Sequence, residues 1–189
     1  MRYRIWTVLF LVIVVCVSTG MLNAIYTYTD PIVRRNEKLK IQKSVLEIFQ
    51  IPHGEYNIQE IFGESINAQT VEGMELYRSS SGSIAFEISG PGFWGAISAL
   101  IALEPDLETI KGLKILGNKE TPGLGGRIAD DWFQDQFKGK KLVPELKIVP
   151  YGKAKELNEV DAITGATQTS KAFERIVNTN FRIFCQTIR

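Results

Sequence analysis

Residues 84–103 read IAFEISGPGFWGAISALIAL, and the fold turns on the residues that come after its glycines. Gly90, Gly92 and Gly95 stand at the G-x-G-x-x-G spacing of a dinucleotide-binding turn. Such a turn needs a helix directly after the glycines, its N-terminus on the pyrophosphate, and an acidic residue about 20 positions on. Here a short, continuously apolar run takes that place, Ala96 to Leu103, which suits a buried strand. Gly112 and Leu113 occupy the place for the acid. The context therefore speaks against a Rossmann site. The glycines read instead as a tight loop that leaves Phe93 and Trp94 beside a ligand or the core.

Working outward, Met74–Tyr77 and Ile84–Ile88 flank a serine-rich turn, residues 79–83, and predict a hairpin with Ile84, Phe86 and Ile88 inward. Leu113–Leu116 follows a turn at Pro105-Asp106 and reads as a further strand, as does Leu146–Val149. Arg127–Phe137 reads as a helix carrying Ile128, Trp132, Phe133 and Phe137. A last helix is expected over Lys171–Ile188, with Phe173, Ile176, Val177, Phe184 and Ile188 at helical spacing. Upstream, Asp30-Pro31 looks like an N-cap and a first helical proline, opening an amphipathic helix that ends before Pro52. Residues 53–70 give weak signals. Strands cluster mid-chain with helices at both ends, which predicts one α+β domain with a mainly antiparallel sheet.

No charged residue occurs between Ile5 and Thr29. Ile5–Ile25 is long enough, at 1.5 Å per residue, to cross a hydrocarbon core of about 30 Å. Trp6, Tyr26 and Tyr28 sit at its ends, where amphipathic rings favour the interface. A cleaved signal peptide is the rival, with Arg2 and Arg4 before an apolar Ile5–Val17. The apolar character resumes after Gly20, which favours an uncleaved anchor. Arg2 and Arg4 argue for an N-terminus inside, yet Arg34, Arg35, Lys38, Lys40 and Lys43 follow the span, so charge leaves the orientation open.

The 22 Lys+Arg against 21 Asp+Glu leave a net charge of +1. That balance supplies no basic field for nucleic acid. Two cysteines make no disulfide framework. His53, the one histidine, has no ligand-spaced partner and reads as a loop residue after Pro52, so no metal site is expected.

Two loops carry the chemistry. Glu120-Thr121-Pro122-Gly123-Leu124-Gly125-Gly126 lies between a strand and a helix. It is a glycine-rich turn whose backbone N–H groups could face a flat aromatic or anionic ligand. Asp161-Ala162-Ile163-Thr164-Gly165-Ala166-Thr167-Gln168-Thr169-Ser170 precedes the last helix. Thr169 or Ser170 is expected to cap that helix. The same helix N-terminus suits a phosphate, and small Gly165 and Ala166 leave room for esterification at the Thr167 hydroxyl.

Aspartate, two residues, Ser or Thr, then Gly-Ala-Thr resembles the signature for covalent flavin attachment, and Glu-Thr-Pro-Gly-Leu-Gly resembles the second signature of the same proteins. In this order behind one N-terminal span they look like the RnfG/NqrC family, FMN-binding subunits of ion-translocating electron transport complexes. The resemblance covers essentially the whole chain and is weakest over residues 50–75. Gly92-Phe93-Trp94 and Glu104-Pro105-Asp106-Leu107 look more like NqrC, whereas the short chain and Lys119-Glu120 look more like RnfG, toward which the reading leans slightly.

The resemblance implies that Thr167 carries FMN by a phosphoester made by a dedicated flavin transferase, whose motif includes Asp161. Thr164, Gly165 and Ala166 would wall the phosphate. Glu120, Thr121, Leu124, Gly125 and Trp94 would belong to the flavin site. It also implies an anchor over residues 1–28, a connecting helix and start of domain over 29–70, and a covalent FMN-binding domain over 71–189. The domain would lie on the extracytoplasmic side of the cell inner membrane, with the N-terminus cytoplasmic. The expected function is a one-electron carrier, not catalytic alone, working with membrane and iron–sulfur subunits in contact with membrane lipid. A stand-alone flavoprotein reductase and a non-redox binding module are the competing readings.

Overall fold

The computed structural model describes residues 2–54 and 56–188, the side chains at 2 and 4 excepted. The chain divides into two compact units, the first running to Lys40 and the second beginning at Ile41.

The first unit is the greater part of helix α1, Arg2–Ile48. Its apolar side chains from Ile5 to Ile25 are exposed on every side, so the helix is long and apolar enough to cross a membrane and is suited to anchoring in one. Three threonine hydroxyls within it are satisfied locally: Thr7 donates to the Tyr3 carbonyl at 2.9 Å, Thr27 to that of Asn23 at 2.8 Å, and Thr29 to that of Ile25. The expected new start at Asp30 is absent. The helix runs through Pro31, whose fixed φ is already helical and which forgoes one donor. Asp30 does not cap; its Oδ2 accepts from Arg34 Nε one turn on, at 2.7 Å.

The second unit is α+β. Strands β1 (Ile66–Val71), β2 (Met74–Ser79), β3 (Ile84–Pro91), β4 (Ala96–Leu103) and β5 (Ile110–Asn118) form an antiparallel meander in chain order. The hairpin read from the serine-rich turn is β2–β3, and Ile84, Phe86 and Ile88 all face one core. That core is closed by helix α4, Thr167–Thr187, through Phe173, Ile176 and Phe184. Phe86 and Phe184 stack with centroids 4.3 Å apart. The opposite face, with Ala85, Leu100 and Ala102, is covered by Val45, Leu46, Ile48 and Phe49 at the end of α1. A strand covered on both faces is mostly apolar instead of alternating, which is why β4, Ser98 apart, reads as an apolar run.

Two expected helices shift, and a segment with weak signals proves structured. The helix read over 127–137 is a 3-10 turn, Gly125–Ala129, then helix α3, Asp131–Asp135. Asp130 between them is extended, and its carboxylate accepts from Arg127 Nε at 3.3 Å and Trp132 Nε1 at 3.0 Å. The last helix begins at Thr167, four positions before Lys171. Residues 53–70 contain helix α2, Ile58–Ser65, and β1, a mostly exposed edge strand with little apolar pattern to read. A short parallel pair, β6 (Lys147–Val149) and β7 (Glu159–Asp161), leads into α4.

Candidate functional site

Residues 92–95 are the connection of the β3–β4 hairpin: Pro91 pairs with Ala96, and Gly92 N donates to Gly95 O at 2.8 Å. The three spaced glycines therefore lie at a strand-to-strand turn. Phe93 and Trp94 project from it, 53% and 70% exposed, their rings edge to face at 5.2 Å.

Behind this turn sits Glu120, 6% exposed. Its Oε1 accepts the backbone N–H of Phe93 at 2.8 Å and of Trp94 at 2.9 Å, with Gly95 N at 3.4 Å. Its Oε2 accepts the Thr169 hydroxyl at 2.6 Å. Burial pushes this carboxyl up, but the Thr169 hydroxyl and the three amides outweigh it and hold the group below its ordinary value. The backbone is fitted around it. A Cβ on Gly92 would run into Oε1, and one on Gly125 would stand 2.5 Å from Thr169 Oγ1 and 2.7 Å from Glu120 Oε2.

The loop after Glu120 closes on itself, with Leu124 N and Gly126 N both donating to Thr121 O, and Gly123 takes a φ of +74°. Leu124 points outward. Across from it, Gly165, at φ +81°, and Ala166 lead into α4. Ala166 is the N-cap residue and offers no side-chain bond, so the first-turn amides of α4 have no side-chain cap.

Thr169 and Ser170 do not cap the helix, contrary to expectation. They lie inside its first turn, both buried. Thr169 holds Glu120, and Ser170 Oγ donates to Ala166 O at 3.0 Å while accepting from Ile163 N at 3.1 Å.

These segments enclose a pocket of about 310 Å³ lined by Phe93, Trp94, Thr121, Leu124, Gly125 and residues 165–169. Seven residues singled out in the sequence meet there: Phe93, Trp94, Thr121, Leu124, Gly125, Gly165 and Ala166, around Thr167, which is exposed. Glu120 does not line it but stands behind its wall. Thr164 faces a second cleft with Arg127, Trp132 and Tyr151, where the Arg127 guanidinium lies 5.2 Å from the Trp132 ring centre. Asp161 lies apart from the pocket. Its Oδ1 accepts from Lys153 N at 3.0 Å and Ala154 N at 2.9 Å, fixing the preceding loop. Gln168 and Thr169 join the lining as well; a helix starting at Lys171 leaves them out of the expected site, and the earlier start brings them in.

Residues 92–181 match the model of the FMN-binding domain. Over that stretch the chain is similar to an FMN-binding domain. It is 33% identical over 129 residues to the C subunit of the Na(+)-translocating NADH-quinone reductase of Yersinia pestis, covering 64% of this chain and 48% of that protein. It is 32% identical over 133 residues to the G subunit of the Na(+)-translocating ferredoxin:NAD(+) oxidoreductase complex of Acetobacterium woodii, covering 68% and 63%. The chain thus spans about half to under two thirds of the length of these relatives. Its fold is that of crystalline NqrC from Shewanella oneidensis, with a TM-score of 0.70 at 22% identity, covering 78% of this chain and 93% of that one. The C subunit of the Parabacteroides distasonis Na(+)-translocating NADH-quinone reductase gives 0.65 at 24% identity, covering 78% and 90%.

The pocket fits FMN by its chemistry. Its volume is that of a small-molecule site, Phe93, Trp94 and Leu124 offer exposed apolar faces to a flat ring, and the α4 N-terminus offers amides and partial positive charge to a phosphate.

Proposed function

We propose that this chain is a one-electron carrier subunit of a membrane-bound, ion-translocating oxidoreductase complex of the Rnf or Nqr type, with FMN joined through its phosphate to Thr167. One observation carries the reading. Of the four hydroxyls between 164 and 170, Thr167 alone is both exposed and in the pocket. Thr169 and Ser170 are buried and bonded, and Thr164 faces the neighbouring cleft.

Bound FMN supplies reversible one-electron transfer. The chain's own residues hold and shield it. Phe93, Trp94 and Leu124 keep water from the ring, Gly125 leaves room for the Glu120–Thr169 bond behind the pocket wall, and Gly165 takes the positive φ that leads into α4. The first turn of α4 balances phosphate charge. Asp161, outside the pocket, serves recognition by the flavin transferase that forms the ester, whereas Thr164, expected in the phosphate wall, lines the neighbouring cleft. The apolar span of α1 contacts membrane lipid, the N-terminus is cytoplasmic, and the flavin domain faces the extracytoplasmic side of the inner membrane. Membrane and iron–sulfur subunits of the complex deliver and accept the electron.

The test is in-gel flavin fluorescence after denaturation. Protein made together with the flavin transferase should fluoresce, and Thr167→Ala should not. A fluorescent Thr167→Ala band overturns the assignment.

A further inference from the structure

We propose that Glu120 is a positioning residue of the flavin pocket: its buried carboxylate clamps the Phe93–Trp94 turn to the first turn of α4, beside Thr167, and so sets the gap that receives the ring. The inference rests on the FMN reading above. One oxygen holds two successive amides, of Phe93 and Trp94, and the other holds the Thr169 hydroxyl, two residues beyond Thr167. Hydrogen bonds to a charged acceptor are stronger than neutral ones, and this acceptor is 6% exposed, with Gly92 and Gly125 packed so closely that neither leaves space for a methyl group beside it. Without it, the turn that carries both aromatic rings keeps, among the described residues, the Gly92–Gly95 bond and its strand ladder. The Phe93 and Trp94 amides then lose their acceptor, and the pocket wall loses its tie to the helix that bears Thr167. Glu120 does not line the pocket and acts through Trp94 and Phe93.

The experiment uses the full chain in detergent, prepared with and without the flavin transferase. In the flavin-free protein, Glu120→Ala should speed amide hydrogen exchange at residues 93–95 by about tenfold or more, the scale set by losing bonds to a charged acceptor. Exchange in the middle of β4 should stay unchanged. Glu120→Gln, which keeps an acceptor oxygen, should restore most of the protection.

In the flavin-loaded protein, Glu120→Ala should weaken the visible circular dichroism of the flavin, and should do so far less when Trp94 is already alanine. Unchanged exchange at 93–95, or an equal loss of dichroism in the Trp94→Ala background, overturns the clamp. Should Glu120→Ala not fold, Thr169→Val detaches the carboxylate from α4 alone. Dichroism should then fall while residues 93–95 stay protected, and unchanged dichroism overturns the clamp. A chain that takes up no flavin defeats the FMN reading, while the exchange arm still decides the clamp.

Discussion

On the Glu120 carboxyl, burial and hydrogen bonding pull in opposite directions, and hydrogen bonding prevails. Its folded value lies below the ordinary 4.5. Its contribution to stability is therefore whole above that pH and is lost as pH falls through the folded value. The difference in urea midpoint between wild type and Glu120→Gln should accordingly shrink as pH drops below 4.5. Taking the difference cancels Asp106 and Glu159, which are also held low, by Thr109 and by the Lys155 and Glu156 amides. Thr169→Ala leaves this buried carboxylate short of one donor and should cost about 1–3 kcal/mol by denaturation. It should keep in-gel fluorescence, because the Thr167 hydroxyl remains. Most of the pocket residues are legible in the sequence because glycine-rich loops and a Gly-Ala-Thr turn are local patterns. The role of Glu120 is not, because its partners lie 25 to 49 positions away along the chain.

The elements show the same division. Strands β3 and β4 are readable from alternation and from a mostly apolar run, since β3 and β4 pair directly across their own turn. The start of α4 is hidden because Thr169 and Ser170 resemble capping residues. Their hydroxyls are taken by Glu120 and by Ala166 O, contacts that only the folded chain supplies. β1 is invisible to pattern because most of its side chains face solvent. The end of α1 reads as amphipathic, and its contribution can be measured: Leu46, fully buried against the sheet, should cost about 2–5 kcal/mol on replacement by alanine. Gly92→Ala sets a methyl group against Glu120 Oε1 and Gly95 O within the β3–β4 turn. It should lower stability by about 1–3 kcal/mol and weaken flavin dichroism together with it.

For the whole molecule, the span and the domain answer to different environments. The exposed apolar helix fits lipid, while the sheet and its covering helices bury their own core. The charge pattern does not orient the span, since basic residues flank it on both sides. Protease added to intact spheroplasts should digest the flavin domain; digestion only after lysis would reverse the proposed topology. The central claim is that this chain becomes a covalent flavoprotein at one threonine. The measurement that tests it most directly is mass spectrometry of the tryptic peptide from Glu156 to Lys171, which contains all four candidate hydroxyls. The peptide should gain the mass of one FMN less water, with fragmentation placing the added mass on Thr167. An unmodified peptide from protein made with the flavin transferase, or a mass gain on Thr164, Thr169 or Ser170, would contradict the claim.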